Sequence, residues 1–226
     1  MDRWGHRRAY PGVTFKLVPT NEKLELRIKA ITITPGYWRN PEQTAKAFDE
    51  EGYYLMGDAL KFVDENNPNR GLLFDGRISE DFKLDTGTWV SVGNLRPKII
   101  HHFAPYVQDV VITGRDRGFI GAMIFPDMGH IRELLENGGE SMSDEEILAH
   151  ENVREVFETS LKTLAGDNAG SSMRVKRLRL LAEPPQMDKH EITDKGSINQ
   201  NAVMTYRKAD LDDMYQAVPS DKVISV

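Results

Sequence analysis

The residues best suited to chemistry lie in three short segments of the chain. The segment Gly76–Lys83 (GRISEDFK) places an arginine, two acids and a lysine close together, with Gly87 and Trp89 just behind them. The upstream segment Tyr54–Asp58 (YLMGD) ends on an acid that directly follows a glycine. The downstream segment Ile192–Ile198 (ITDKGSI) carries a lysine before a glycine. Charged side chains at glycine-containing turns are typical of sites that bind phosphates or sugar hydroxyls.

Each segment also has an ordinary structural explanation. Asp58 suits a ribose, because a carboxylate accepts hydroxyl hydrogen bonds worth roughly 1.5–3 kcal/mol each, but it equally suits a turn aspartate that caps its own backbone. Arg77 offers a planar fork to hydroxyl or phosphate oxygens, yet the same charges fit a solvated loop. Lys195 by itself is also consistent with a surface lysine. The residues alone leave both explanations open for each segment.

Length and composition restrict the class of protein. With 226 residues, 39% of them hydrophobic and 28% charged, the chain suits one large or two small globular domains. The net charge of −6 opposes the basic surplus of a nucleic-acid-binding protein. The basic run Arg174–Arg179 (RVKRLR) is therefore interpreted as a half-buried strand with one basic face. We predict no nucleic-acid partner.

Cysteine and histidine usage restricts the chemistry further. The chain contains no cysteine, which excludes disulfides, thiolate nucleophiles and cysteine-ligated metals. The six histidines show no ligand spacing, so we predict no metal site. No apolar run approaches the roughly 18 residues that span a bilayer, and the first residues do not form a secretory signal. We expect no membrane partner and a cytoplasmic location.

The first 75 residues are predicted to form a small antiparallel sheet or barrel piece. Leu24, Leu26 and Ile28 alternate with charged residues, which predicts a strand with one apolar face. Asn40 is predicted to cap a short helix that ends near Gly52. The polar residues 64–71 form a loop between two further strands.

The second part of the sequence alternates strands with a long helix. Val110–Ile112 and Ala122–Phe125 are apolar runs that predict buried strands. Ser143–Glu146 (SDEE) predicts a capping box at the start of one long helix, which Gly166 ends. A basic-faced strand is predicted at 174–182. We therefore predict an α+β fold, in which an antiparallel piece precedes a small α/β domain, with the boundary in the segment Gly76–Lys83.

Read together and in this order, the three segments resemble motifs of the adenylate-forming enzymes, the acyl-CoA synthetase superfamily. Tyr54–Asp58 is similar to the motif whose aspartate binds the ribose hydroxyls of ATP. Gly76 and Arg77 are similar to the start of the hinge motif, whose arginine also contacts the nucleotide. The resemblance implies that residues 1–78 are the end of the N-terminal AMP-binding domain, a distorted β-barrel piece. It implies that residues 79–226 are the C-terminal lid domain.

The resemblance also implies roles for residues of the lid. Glu80 lies where the hinge acid of the motif lies, and Asp81 follows it. Lys83, Gly87 and Trp89 would lie on the lid face that is presented during thioester formation.

Lys195 would be the catalytic lysine that reaches the α-phosphate. In the superfamily that lysine directly precedes an aliphatic residue, whereas here Ser197 precedes Ile198. Either Lys195 acts from a shifted position, or the adenylation lysine of this chain is unconventional.

Three stretches resemble feruloyl-CoA synthase in particular: residues 34–42 (TPGYWRNPE), 80–93 (EDFKLDTGTWVSVG) and Glu191–Gln200. This implies an ATP-dependent acyl-CoA ligase that uses ATP or AMP, CoA and Mg²⁺ with an aryl or acyl carboxylate. The phosphate loop, the acyl pocket and the Thr-Glu motif of the superfamily have no counterpart in this sequence. We therefore expect the chain to bind none of these small molecules tightly and to be inactive without the N-terminal part. The alternative is a non-catalytic binding module derived from the lid.

Overall fold

The structure is a computed structural model that describes residues 11–167 and 170–226. The chain divides into two compact units, and the boundary lies between Ser79 and Glu80. One four-stranded antiparallel sheet lies in the first unit, while the second contains a two-stranded sheet, a four-stranded mixed sheet and most of the helices. The predicted α+β fold is confirmed.

The first unit is an antiparallel sheet with one short helix. Its strands lie side by side in chain order, and each adjacent pair is antiparallel. The helix α1 lies between the second and third strands in the chain. The strands are β1 (Val13–Thr20), β2 (Lys23–Ala30), β3 (Tyr54–Phe62) and β4 (Leu72–Arg77), and α1 is Pro41–Ala47.

The strand β2 buries a charged side chain rather than its apolar ones. Glu25 is only 6% exposed, whereas the apolar side chains on the opposite face of β2 are half-buried. Arg27 explains this burial, because its Nε and Nη2 donate to Glu25 at 3.0 and 2.9 Å and its Nη1 donates to Asp49 at 3.2 Å. Lys16 also bonds to Asp49. The hydrogen bonds that Asp49 accepts from Lys16, from the N–H of Tyr53 and from Arg27 outweigh the effect of burial, and they hold the pKa of Asp49 well below its usual range.

The helix α1 begins as predicted but ends earlier. The side chain of Asn40 accepts the N–H of Gln43 at 3.0 Å, which confirms the cap. The helix ends at Ala47, so the predicted end near Gly52 is wrong. The cause is Asp49, whose Oδ1 accepts the N–H groups of Glu51 and Tyr53 at 3.1 and 2.9 Å. These bonds turn the backbone out of the helical path.

The second unit is built on a four-stranded mixed sheet. The strand order is β10-β9-β8-β7, in which β8 and β9 are parallel and the other pairs are antiparallel. The hairpin β5–β6 forms a separate two-stranded sheet. The strands are β5 (Phe82–Lys83), β6 (Trp89–Val90), β7 (Val107–Thr113), β8 (Ile120–Pro126), β9 (Val175–Leu180) and β10 (Val223–Ser225). The helices are α2 (Val92–His102), α3 (Met128–Arg132), α4 (Asp144–Ala149), α5 (Glu151–Asp167), α6 (Gln200–Tyr206) and α7 (Lys208–Met214).

The core of the second unit lies on both faces of this sheet. Every residue of Val110–Ile112 and Ala122–Phe125 is at most 1% exposed, so the predicted buried strands are confirmed. Alternate side chains of β7 and β8 join two clusters, one with α2 and α5 and the other with α6 and α7. A sheet covered on both faces by helices explains why these strands read as continuous apolar runs.

The predicted long helix is two helices. The capping box is present, since Ser143 accepts the N–H of Glu146 and the Glu146 carboxylate accepts the N–H of Ser143 at 2.8 Å. However, it begins the short helix α4, because His150 is extended and ends that helix. The Nδ1 of His150 then accepts the N–H of Asn152 at 3.2 Å and so caps α5. Gly166 lies inside α5, which corrects its predicted role as the end of the helix.

Candidate functional site

Asp58 and Arg77 lie beside each other on neighbouring strands of the first unit. They are direct partners in the register of β3 and β4, and the Nε of Arg77 is 3.5 Å from the Oδ1 of Asp58. Oδ1 is buried, yet it accepts no hydrogen bond within the described residues. The Arg77 side chain is 58% exposed. The pair therefore presents a carboxylate with unused acceptor capacity next to an accessible guanidinium.

Two glycines shape the backbone at this pair. Gly57 and Gly76 have φ angles of +69° and +93°, which lie in the region that favours glycine. The carbonyl of Gly57 accepts the N–H of Ile78 at 2.9 Å. The pairing of the strands is also irregular between Asp58 and Leu60. Because a bulge re-aims side chains, this irregularity helps to set the direction of Asp58.

The two acids predicted as hinge residues lie at the junction of the units but differ in their surroundings. Glu80 is the first residue of the second unit and is half-buried. Asp81 is 7% exposed, and its Oδ1 accepts the N–H of Val92 at 2.9 Å. Val92 is the first residue of α2, whose own N-cap residue, Ser91, makes no side-chain cap hydrogen bond. Asp81 therefore serves as a cap supplied from outside the helix, where a negative charge also suits the helix dipole.

The hairpin β5–β6 brings Lys83, Gly87 and Trp89 together. Lys83 and Trp89 are cross-strand partners, and the Lys83 Nζ is 5.0 Å from the centre of the Trp89 ring. Gly87 lies in the exposed turn with φ +81°, and its N–H donates to the carbonyl of Leu84 at 2.9 Å. Phe82 is 4% exposed and holds the hairpin on the core. The predicted thioester-face residues thus share one small, anchored hairpin.

Lys195 lies at the tip of a tight turn, Thr193–Ser197, which we call the Lys195 turn. Ile192 and Ile198 form an antiparallel bridge at its base, and the N–H of Thr193 donates to the carbonyl of Ser197 at 2.9 Å. Lys195 is exposed and makes no ion pair with any residue in the described ranges. Its ammonium group is therefore available to a ligand.

An ion pair at the base of this turn was not predicted from the sequence. Glu191 is 1% exposed and Arg207 is 9% exposed, with two contacts of 2.9 and 2.8 Å between them. Burial opposes ionisation of Glu191, but the hydrogen bonds from Arg207 and from the N–H of Gln186 outweigh it and lower the pKa of Glu191. The two residues are 16 positions apart, and no motif links them in the sequence. Burial of a glutamate next to an apolar bridge is visible only in the fold.

The basic strand β9 makes internal contacts. Arg177 donates to the carbonyls of Met214 and Gln216 at 2.7 Å, and Arg179 pairs with Asp210 at 2.5 Å. The part of the chain that the structure describes contains no group of three or more His, Cys, Asp or Glu side chains placed to hold a metal ion. Within the same part, no helix has the length and apolar character needed to cross a membrane.

Comparisons with known proteins agree on one family. A family model described as the AMP-binding enzyme C-terminal domain matches residues 84–219. The chain is 36% identical over 103 residues to a carboxylic acid reductase of Segniliparus rugosus, which covers 45% of this chain and 8% of that protein. It is 24% identical over 195 residues to the long-chain-fatty-acid–CoA ligase 1 of Homo sapiens, which covers 86% of this chain and 27% of that protein.

Comparison with solved structures shows that the chain shares its fold with part of a known protein. The A domain of a carboxylic acid reductase from Segniliparus rugosus, solved in complex with AMP and a co-purified carboxylic acid, has a TM-score of 0.72 and 23% identity. That likeness covers 93% of this chain and 33% of the solved chain. The chain thus spans between 8% and 33% of the length of these relatives.

Proposed function

The chain belongs to the AMP-binding enzyme C-terminal domain family, and we propose that it supplies the carboxyl-terminal part of an ATP-dependent acyl-CoA ligase. The observation that carries the proposal is the pairing of Asp58 with Arg77 just ahead of the matched domain. The Asp58 side chain is 23% exposed, so its carboxylate could accept hydrogen bonds from a pair of ribose hydroxyls, while its buried Oδ1 lies beside Arg77. Arg77 would hold nucleotide oxygens from its exposed position.

The reaction has two stages in this proposal. A carboxylate oxygen attacks the α-phosphorus of ATP, and pyrophosphate leaves. The sulfur of CoA then attacks the acyl carbon, and the bond to AMP breaks. Lys195 acts in the first stage, because positive charge near the α-phosphate stabilises the negative charge that develops there. The hairpin with Lys83, Gly87 and Trp89 acts in the second stage, after the lid turns about Glu80 and Asp81.

The partners of this chain follow from what its described residues offer. They provide Asp58, Glu80, Asp81 and the Lys195 turn. The described residues contain no cluster of side chains that could hold a metal ion. On the family resemblance, we assign the Mg²⁺ site, the phosphate loop and the acyl pocket to an N-terminal part that acts with this chain. CoA and the acid would bind only to the two parts together.

The most specific part of the proposal is the identity of the carboxylic acid substrate. The stretches 34–42 and 80–93 resemble feruloyl-CoA synthase, whereas the relatives named above are a carboxylic acid reductase and a fatty-acid ligase. Ferulate and a long-chain fatty acid are therefore the two acids to compare. If the joined enzyme releases pyrophosphate with one of them only, that acid defines the class.

The test separates the two half-reactions in an enzyme made by joining this chain to its N-terminal part. Lys195→Ala should slow adenylation by about 10²–10³, as the loss of one preorganised charge does, and should leave thioester formation from preformed acyl-AMP much less affected. Asp58→Ala should weaken both stages, because the ribose is held in each. Lys98→Ala removes an exposed lysine of α2 and serves as the control.

The chain alone provides the second arm of the test. We expect no AMP or acyl-CoA from ATP, CoA and either acid when the pure chain is assayed by itself. Clear turnover by the chain alone would contradict the need for an N-terminal part. Equal, small effects of Lys195→Ala on both stages would show that Lys195 is a surface charge, and a chain that binds a protein partner without nucleotide would favour the non-catalytic module.

A further inference from the structure

The Lys195 turn has little of its own to fix its position. All five residues from Thr193 to Ser197 are exposed, so no side chain of the turn is packed in the core. The bonds within the turn, such as Gly196 N–H to the carbonyl of Thr193 at 2.8 Å, fix its shape. They do not fix where the turn points. Its direction must therefore come from the residues at its base.

The base of the turn is centred on Glu191. The backbone carbonyl of Glu191 accepts the N–H of Asn199 at 2.9 Å, which joins the two arms just below the Ile192–Ile198 bridge. Its carboxylate accepts the N–H of Gln186 at 2.9 Å as well as the two bonds from Arg207. Glu191 thus joins the two arms through its backbone and connects them to the rest of the second unit through its buried side chain.

Arg207 carries this connection into the core. It lies between α6 and α7, and its Nη2 also donates to the carbonyl of Pro184 at 2.9 Å. Its guanidinium carbon is 5.2 Å from the centre of the Phe125 ring on β8. A planar fork that makes two bonds to one carboxylate and stacks on a ring has a single orientation. The sheet and the helices α6 and α7 therefore fix the position of Glu191 through their contacts with Arg207.

The physical chemistry of this pair favours a positioning role over a stabilising one. Desolvation of two charges cancels much of their attraction, so a buried ion pair often adds little net stability compared with apolar residues of the same volume. The directional bonds remain, and they specify one geometry. The residue before Glu191 also has a left-handed backbone, with φ +54° at His190, which is a strained conformation for a side chain other than glycine.

We propose, on the basis of the proposed function, that the Glu191–Arg207 pair is a positioning device that aims the Lys195 turn for adenylation. Neither residue touches the reacting atoms in this proposal. Glu191 and Arg207 act through Lys195, whose ammonium must reach the α-phosphate within a fraction of an ångström to be effective.

The first arm of the test measures the turn directly in the full chain by amide hydrogen exchange. Glu191→Gln keeps the shape of the side chain but removes the charge, and Arg207→Lys keeps the charge but removes the fork. Each should raise exchange of the amides of Thr193, Gly196 and Asn199 by roughly tenfold or more, while the core amides of α5 stay unchanged. Asp109→Asn is the matched control, since it breaks a two-bond contact with Arg96 elsewhere in the same unit.

The second arm measures coupling to Lys195 in the joined enzyme. Glu191→Gln should slow adenylation by about as much as Lys195→Ala and should add nothing to a chain that already carries Lys195→Ala. Unchanged exchange in the turn, or effects on the rate that simply multiply in the double variant, would overturn the inference. If Lys195→Ala leaves both half-reactions intact, the catalytic role of Lys195 fails, and exchange in the turn still decides whether the pair positions it.

Discussion

The contact between Asp81 and α2 gives a prediction that separates a structural role from a hinge role. Asp81→Ala removes the carboxylate that accepts the N–H of Val92 at 2.9 Å, and Val92 is only 1% exposed. Loss of a helix cap costs about 1 kcal/mol, and a buried N–H left without a partner costs roughly 1–3 kcal/mol. Because the two costs describe the same group, we expect a total of about 2 kcal/mol rather than their sum.

The assay is thermal unfolding of the full chain followed by circular dichroism. For a unit of this size, about 2 kcal/mol corresponds to a fall in Tm of roughly 4–8 °C. Asp81→Asn keeps an acceptor oxygen and loses the charge, so it should cost about half as much. Glu80→Ala is the matched variant, and its half-buried side chain should make its cost smaller than that of Asp81→Ala.

The outcome distinguishes two explanations of Asp81. A fall in Tm of less than about 1 °C for Asp81→Ala would refute the capping role, because a buried N–H cannot lose its partner without cost. If the stability is unchanged while the second half-reaction of the joined enzyme slows, Asp81 acts in the lid movement alone.

Four further predictions concern two shifted pKa values, one close approach to a glycine and the boundary between the units. The pKa of Glu191 is lowered from the usual 4.5, so the contribution of Glu191 to stability is present above pH 4.5 and is lost as the pH falls. The difference in urea midpoint between the unmodified chain and the Glu191→Gln variant should therefore shrink below pH 4.5. Burial raises the pKa of Tyr215 to about 12, so stability from that neutral hydroxyl is complete below pH 10 and is lost as the pH rises towards 12. Tyr215→Phe should remove a tyrosine that ionises near pH 12 in an absorbance titration. Gly121→Ala should destabilise the second unit by about 1–3 kcal/mol in urea unfolding, because the added carbon would lie 2.9 Å from the sulfur of Met214. Limited proteolysis should cut within residues 76–86, near the boundary between Ser79 and Glu80, and cutting only elsewhere would count against two separate units.

Local patterns in the sequence predicted the elements whose causes are local. The apolar runs of β7 and β8 predicted buried strands, and the serine and glutamate of the capping box predicted a helix start, because each depends on residues within a few positions. The division of the long helix at His150 could not be predicted in the same way. A histidine is compatible with a helix, and it ends α4 here through its own backbone conformation and its bond to Asn152.

The candidate site shows the same difference between features with local causes and features that depend on distant residues. The residues of the three segments could be chosen from spacing and from the family resemblance, and their roles stay predictions. The Arg207 contact could not be found from spacing, because it joins residues that only the packing of α6 and α7 brings to Glu191. The burial of Glu25 on β2 was also unforeseen, since Arg27, which donates to Glu25, also bonds to Asp49, 22 positions away in the chain.

The edge strands of the two four-stranded sheets differ in how well they are protected from pairing with another chain when this chain is expressed alone. In the second unit, Gln200 is 4% exposed, and its side-chain amide donates to the carbonyl of Val110 and accepts the N–H of Ile112 on the edge strand β7. This side chain occupies the edge as a further strand would. In the first unit, Phe15 on edge strand β1 is 40% exposed, and Phe74 on edge strand β4 is 62% exposed.

Open strand edges that carry accessible aromatic rings are the usual starting points for aggregation. Self-association of the purified chain should therefore begin at the first unit. Lysine placed at Phe74 should improve solubility during expression more than any change along β7, where Gln200 already blocks strand addition.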